Sequence, residues 1–181
     1  MKVIAAILVG GQSSRMGRSK ALLELEGKTL VDRTFEILSQ CRPVFSEIVI
    51  SGFLFGRAYI SDDKQGAGPV EGIRCVARAF LGRADGLFFV PVDLPFLSTE
   101  SIEFLVSNFE FLNVGGVSFV DHPLPALFRL DDRLVDACNN CSSVNEVLKA
   151  VQASAVPVTD EKFLTNINTP GDWARATGVV L

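Results

Sequence analysis

The chain has 181 residues, 48% of them hydrophobic and 21% charged, with a formal net charge of −4 at pH 7. That length suits one domain, residues 1–181, with a substantial buried core. The acidic balance argues against a general nucleic-acid binder, which carries a basic excess, and no apolar run approaches the roughly 20 residues of a membrane-spanning helix.

The first nine residues hold one lysine and a short apolar run that ends in Gly-Gly-Gln-Ser-Ser-Arg. A signal peptide would end in a small-residue cleavage pattern instead, so this run is expected to be a first strand and the protein to be cytoplasmic. Four cysteines are present, Cys41, Cys75, Cys138 and Cys141, and free thiols are expected. Cys138 and Cys141 make a C-x-x-C, but zinc needs two more ligands. The only histidine, His122, lacks the spacing to supply one.

Val3 to Leu8 has the length and β-branched content of a buried strand. Residues 20–28 are expected to be extended and closed by a Gly-Lys turn. Residues 29–41 carry apolar side chains at helical spacing, and Ile48-Val49-Ile50 reads as a strand ending at Ser51-Gly52. Together these make a βαβ unit. A short strand around Tyr59-Ile60-Ser61 leads to a glycine-rich loop, and Gly68-Pro69 opens a helix over residues 70–80.

A further buried strand spans residues 87–92 and ends on Asp93-Leu94-Pro95. Ser98 caps a helix that runs to about Phe109. Strands over residues 115–120 and 126–129 flank Asp121-His122-Pro123-Leu124-Pro125. Two helices follow, the second opened by the capping-box pattern Ser143-Val144-Asn145-Glu146. Residues 163–168 read as a polar extended stretch, and Thr169-Pro170-Gly171-Asp172 starts a last short helix. Alternating helices and uniformly apolar strands point to a three-layer α/β/α domain with a mainly parallel sheet.

Ligands of an open α/β sheet bind beyond the carboxyl ends of its strands. Three groups fall there: the loop 8–20, Ser51-Gly52 and Asp93. The loop supplies Gly10, Gly11 and Gly17, the hydroxyls of Ser13 and Ser14, and the cations Arg15 and Lys20. Leaving a strand, it can present backbone N–H groups and cations to phosphate. It matches neither G-x-x-x-x-G-K-[ST] nor G-x-G-x-x-G, which argues against a nicotinamide dehydrogenase. Asp93, framed by Pro91 and Pro95, suits Mg²⁺ bridging phosphate oxygens. Asp62 and Asp63 are candidate acceptors for a base or ribose.

Leu8-Val9-Gly10-Gly11-Gln12-Ser13-Ser14-Arg15-Met16-Gly17-Arg18-Ser19-Lys20 resembles the L-A-G-G-x-S-x-R-M-G-x-x-K loop of the molybdenum cofactor guanylyltransferases. Four more segments agree in order: Asp62 ahead of Gly68-Pro69-Val70-Glu71-Gly72-Ile73, the run from Pro91 to Leu97, the run from His122 to Phe128, and Asn166-Ile167-Asn168-Thr169-Pro170. The resemblance implies a Rossmann-like nucleotidyltransferase domain. Its substrates would be GTP and molybdopterin carrying molybdenum, its cofactor Mg²⁺, and its products molybdopterin guanine dinucleotide and pyrophosphate. It also implies transient contact with molybdenum-insertion or acceptor proteins.

By the same resemblance, the backbone around Leu8, Val9, Gly10 and Gly11 meets guanine and ribose. Arg15 and Lys20 face the triphosphate, and Asp62 sits in the nucleotide pocket. Asp93 holds Mg²⁺, while Asn166 and Asn168 reach the pterin. Three positions depart from the family pattern: Val9 for alanine, Ser51 for an asparagine found in some members, and Glu71 for a small residue. The proposed reaction needs no protein nucleophile, only positioning and charge neutralisation. Two alternatives stay open: another nucleotidyltransferase of this fold, such as a molybdopterin cytidylyltransferase, and a non-catalytic GTP-binding or regulatory domain.

Overall fold

The computed structural model of the chain describes residues 1–9, 20–41, 44–54, 56–64, 66–158, 160–167 and 169–177. Strand β1 (Val3–Leu8) is buried along its whole length. It pairs in parallel with β4 (Phe45–Ser51) on one side and with β5 (Gly86–Pro91) on the other. Two short strands, β2 (Glu24–Leu25) and β3 (Lys28–Thr29), form a separate hairpin ahead of helix α1 (Leu30–Gln40). Thr29 caps α1 by accepting from the Asp32 N–H at 3.2 Å. Helix α2 (Pro69–Phe80) follows Gly68 and has proline in its first turn, where no N–H is missed.

Beyond β5 come α3 (Thr99–Leu112), β6 (Gly116–Phe119), β7 (His122–Arg129), α4 (Asp132–Asn140), α5 (Val144–Ala150), β8 (Ser154–Val156) and α6 (Pro170–Thr177). Ser98 and Asp131 cap α3 and α4, and Ser143 with Glu146 forms the reciprocal capping box of α5. At the start of α6, Thr169 and Asp172 exchange backbone-to-side-chain hydrogen bonds at 2.9 and 3.1 Å. The sheet order is β4-β1-β5-β7-β6-β8. Only β7 runs against the others, pairing antiparallel with both β5 and β6.

The two faces of β1 explain the layers. Val3, Ala5 and Ile7, with Phe88 and Val90 of β5, pack under α1 and α3, and Trp173 of α6 joins that side. Ile4, Ala6 and Leu8, with Leu87 and Phe89, pack under α2, α4 and α5. A strand covered on both faces reads as one unbroken apolar run, and that run is what made β1 and β5 visible in sequence. No helix among the described residues is long and apolar enough to cross a membrane.

Several boundaries differ from expectation. Residues 20–22 form a 3₁₀ turn rather than extended chain, with the Leu23 N–H closing onto the Lys20 carbonyl at 3.0 Å. Ile60 makes only an isolated bridge to Ser51 and no strand. Strand β7 begins four residues early, at His122, despite Pro123 and Pro125. Its partner β5 engages only Ala126 to Arg129, so the prolines sit where no ladder donor toward β5 is needed. Strand β8, three residues long, carries too short a pattern to announce itself. Residues 161–164 turn as a 3₁₀ helix before the chain extends.

At Gly115, just before β6, a Cβ would stand 2.0 Å from the Val151 carbonyl oxygen. Backbone cannot yield as a side-chain tip can. Gly115→Ala is therefore expected to cost about 1–3 kcal/mol, read as a lower midpoint of urea unfolding with an unchanged slope.

Candidate active site

The register of the central strands builds the site. Leu8 pairs with Ser51 of β4 and with Pro91 of β5, so three strand ends open side by side. The backbone continues this alignment past the strands. Val9 N–H donates to the Ser51 carbonyl at 3.0 Å, and Val92 N–H donates to the Leu8 carbonyl at 3.2 Å. Leu8, Val9, Ser51 and Asp93 thus share one edge of the sheet, as the expected ligand edge requires.

Lys20 and Asp93 meet there. The Lys20 ammonium donates to Asp93 Oδ2 at 3.0 Å, with the two side chains only 20% and 17% exposed. They stand 73 residues apart in sequence. Buried Ala21 and Leu23 anchor the turn that carries Lys20, while Val92, Leu94 and Leu97 are buried around Asp93. The C-terminal segment comes to the same place, because Ile167 N–H donates to the Asp93 carbonyl at 3.0 Å. Exposed Asn166 therefore stands one residue from this contact. Gly10, Gly11, Arg15 and Asn168 lie outside the described residues.

A second feature flanks Leu8. Ser51 is buried, and its hydroxyl has no hydrogen-bond partner among the described residues. Asp62 Oδ1 is likewise buried and without a partner among them. Both lie around Gly72, where a Cβ would be 2.6 Å from Ser51 Oγ, 3.1 Å from Leu8 Cδ2 and 3.7 Å from Asp62 Oδ1. The glycine lets the α2 backbone approach the strand ends closely, so that these polar atoms meet at one tight corner. Two buried oxygens without a partner among the described residues are costly to a protein. Burial raises the Asp62 pKa above its ordinary value, and the nearby Glu71 and Asp63 carboxylates add to that rise.

The opposite has happened to Glu71, whose presence the sequence pattern left unexplained. It is buried on the first turn of α2 and accepts from Lys64 N–H at 3.0 Å, from Arg74 Nε at 3.0 Å and from Arg74 Nη2. These bonds, Arg74 first, hold its carboxyl below the ordinary glutamate range, and the same partnership raises Arg74. Arg74 Nη2 also donates to Asp63 Oδ2 at 3.1 Å. The only sequence signal for this network was the i, i+3 spacing of Glu71 and Arg74; the link to Asp63 depends on the loop.

Among the described residues, Asp63, Glu71 and Cys75 have ligand atoms within 4.8 Å of one another, close enough to hold a metal ion. The Arg74 guanidinium already sits on both carboxylates, however, which disfavours a divalent cation there. Cys75, Cys138, Cys41 and Cys141 are free thiols. Burial pushes Cys138 up to about 12. His122 pairs with exposed Glu161 at 3.2 Å.

Comparison with known proteins places this geometry. A family model described as a MobA-like NTP transferase domain matches residues 5–153. The molybdenum cofactor guanylyltransferase of Xanthomonas euvesicatoria pv. vesicatoria is 32% identical over 178 residues, covering 93% of this chain and 91% of the relative. The molybdopterin-guanine dinucleotide biosynthesis protein A of Archaeoglobus fulgidus superposes with a TM-score of 0.75 at 24% identity, over 97% of each chain. The 2-C-methyl-D-erythritol 4-phosphate cytidylyltransferase of Thermus thermophilus shares the fold, with a TM-score of 0.68 at 14% identity and 96% coverage of both chains.

The raised Asp62 pKa carries a stability consequence. A carboxyl whose folded pKa exceeds its unfolded value destabilises the fold as pH rises through the carboxylate range, and that cost is complete at neutral pH. Asp62→Asn is therefore expected to raise the Tm by a few degrees at pH 7, with the gain vanishing below about pH 4. Calorimetric melting across that range checks it.

Proposed function

Because the chain belongs to the family of MobA-like NTP transferase domains, we propose that it transfers GMP from GTP to molybdenum-bearing molybdopterin. The products are molybdopterin guanine dinucleotide and pyrophosphate, and residues 1–181 act as one cytoplasmic nucleotidyltransferase domain. The observation that carries the reading is the Lys20–Asp93 pair at the shared end of β1 and β5. A cation and a carboxylate held together beside a phosphate-type loop are what nucleotidyl transfer needs, and simple nucleotide retention does not need the carboxylate.

In the reaction, a terminal phosphate oxygen of the acceptor attacks the α-phosphorus of GTP. A new P–O bond forms as the bond between the α-phosphorus and the bridging oxygen breaks, and pyrophosphate departs with that electron pair. The acceptor phosphate is already ionised near neutral pH, so no general base is required. Lys20 faces the β- and γ-phosphates and balances charge that grows on the leaving group. Arg15 is assigned the same task on the family pattern. Leu8 and Val9, with Gly10 and Gly11, set base and ribose through the backbone. Asp62 offers an acceptor to a donor on the base or ribose.

Asp93 is the residue that would hold a divalent ion, Mg²⁺ in this reading. One partly buried carboxylate fits, since Mg²⁺ is commonly held by one or two carboxylates plus substrate phosphates. When bound, the ion draws charge from the α-phosphate oxygens. In the protein alone, Lys20 neutralises Asp93; with a triphosphate present, the ammonium turns to the phosphates and frees the carboxylate. Asn166 and Asn168 are proposed to meet the pterin, supported by the Ile167 bond that seats this segment on Asp93. Molybdenum-insertion or acceptor proteins would make transient contact on this face.

Cytidylyl transfer is the second reading, favoured by the fold shared with the Thermus thermophilus cytidylyltransferase. Pyrophosphate release measured with each of the four NTPs and molybdopterin is expected to be highest with GTP; a clear CTP preference would overturn the guanylyl assignment. GTP binding without turnover would favour a regulatory domain. Lys20→Ala and Asp93→Ala should each lower turnover by about 10²–10³-fold in a molybdopterin-dependent assay. Near-normal, Mg²⁺-dependent release by Asp93→Ala would refute the metal assignment.

A further inference from the structure

Two acids nine residues apart on the same wall are treated in opposite ways. Glu71 accepts from a backbone N–H and from both arms of a guanidinium, whereas Asp62 Oδ1 is buried with no partner among the described residues. A buried carboxylate is expensive unless fully bonded. Full satisfaction of Glu71 therefore points to a structural duty, and the orphaned oxygen of Asp62 points to a ligand.

The two are joined through a short loop. Lys64, whose N–H is held by Glu71, is two residues from Asp62. Asp63, between them, is held by Arg74 from the same helix turn, and the Arg78 guanidinium lies 3.7 Å from its carboxylate. Both arms of this clasp originate on α2. After Lys64 the loop passes through Gly66 and Gly68 at φ +75 and +85, conformations that glycine adopts without strain.

We propose that Glu71 is a positioning residue for the nucleotide pocket: it clamps the loop through Lys64 and, via Arg74, through Asp63, so that the Asp62 carboxylate is held beside Leu8, Ser51 and Gly72 at the sheet edge. The inference rests on the reading of this corner as part of the GTP site. Glu71 has its own cation, Arg74, on the same helix turn and its own backbone donor, Lys64, on the loop. The ligand acts on Asp62; Glu71 touches no substrate.

The test is calorimetric GTP binding with Mg²⁺, together with steady-state KM and kcat for GTP, for wild type, Glu71→Ala, Glu71→Gln, Asp62→Ala and the double variant Asp62→Ala/Glu71→Ala. Folding is monitored by circular dichroism and Tm. Glu71→Ala should weaken GTP binding about tenfold, and the same change in the Asp62→Ala background should have less than about a twofold effect, because both act through one carboxylate. KM should rise while kcat stays within about threefold of wild type. Glu71→Gln keeps an oxygen for Lys64 N–H and should recover part of the affinity, which also secures the test if the alanine variant folds poorly.

A lowered Tm with unchanged GTP affinity in both Glu71 variants would overturn the inference while leaving the proposed function standing. An equal loss from Glu71→Ala with and without Asp62 would overturn it too, since the acid would then act by another route. Absence of GTP binding by the wild-type protein would instead refute the proposed function, and this inference with it.

Discussion

The parallel seating of β1 between β4 and β5 is the constraint on which the remaining structure depends. The register places Leu8 beside both Ser51 and Pro91. Side chains of the three strands interleave with helices on both faces, so a shift of one residue would turn every apolar group to the wrong layer. With register pinned by burial, the three following loops must start from one line. The alignment of Leu8, Ser51 and Asp93 along one edge is then a consequence of core packing rather than a separate achievement of the loops.

On that line the protein puts opposite charges where the sheet offers no backbone partners. Lys20 and Asp93 are mostly buried, and each offsets the other's desolvation. On the other side of Leu8, Ser51 Oγ and Asp62 Oδ1 are buried without a hydrogen-bond partner among the described residues, and Gly72 lets α2 approach them closely.

Glu71 links this corner to the scaffold. Its carboxylate is the most heavily bonded acid near the site, and it lies on the first turn of α2, whose other face is packed against the sheet through Val70, Ile73 and Val76. The helix is thus both a core element and the anchor for the loop that presents Asp62. Departure from a family pattern at such a position is accompanied by compensation nearby: Arg74 supplies the charge and Lys64 the backbone donor.

Sequence alone determined the elements with strong local signals. The apolar runs of β1 and β5, the caps at Ser98, Ser143 and Thr169, and Pro69 after Gly68 are short-range features whose physics is complete within a few residues. It also indicated Lys20 and Asp93, because strand ends in an α/β sheet are where charged residues gain a use. What it did not contain was decided by contacts across long separations. The bond between Lys20 and Asp93 joins residues 73 apart, and β8 exists only because β6 offers it a parallel partner. The prolines of β7 are tolerated only because β5 leaves that stretch unpaired. Glu71 was a bare anomaly until the loop folded back and put Lys64 and Asp63 within reach of its helix turn. Local signals specify segments, whereas the pairing of buried charges and the close approach of α2 at Gly72 arise only once the segments are packed together.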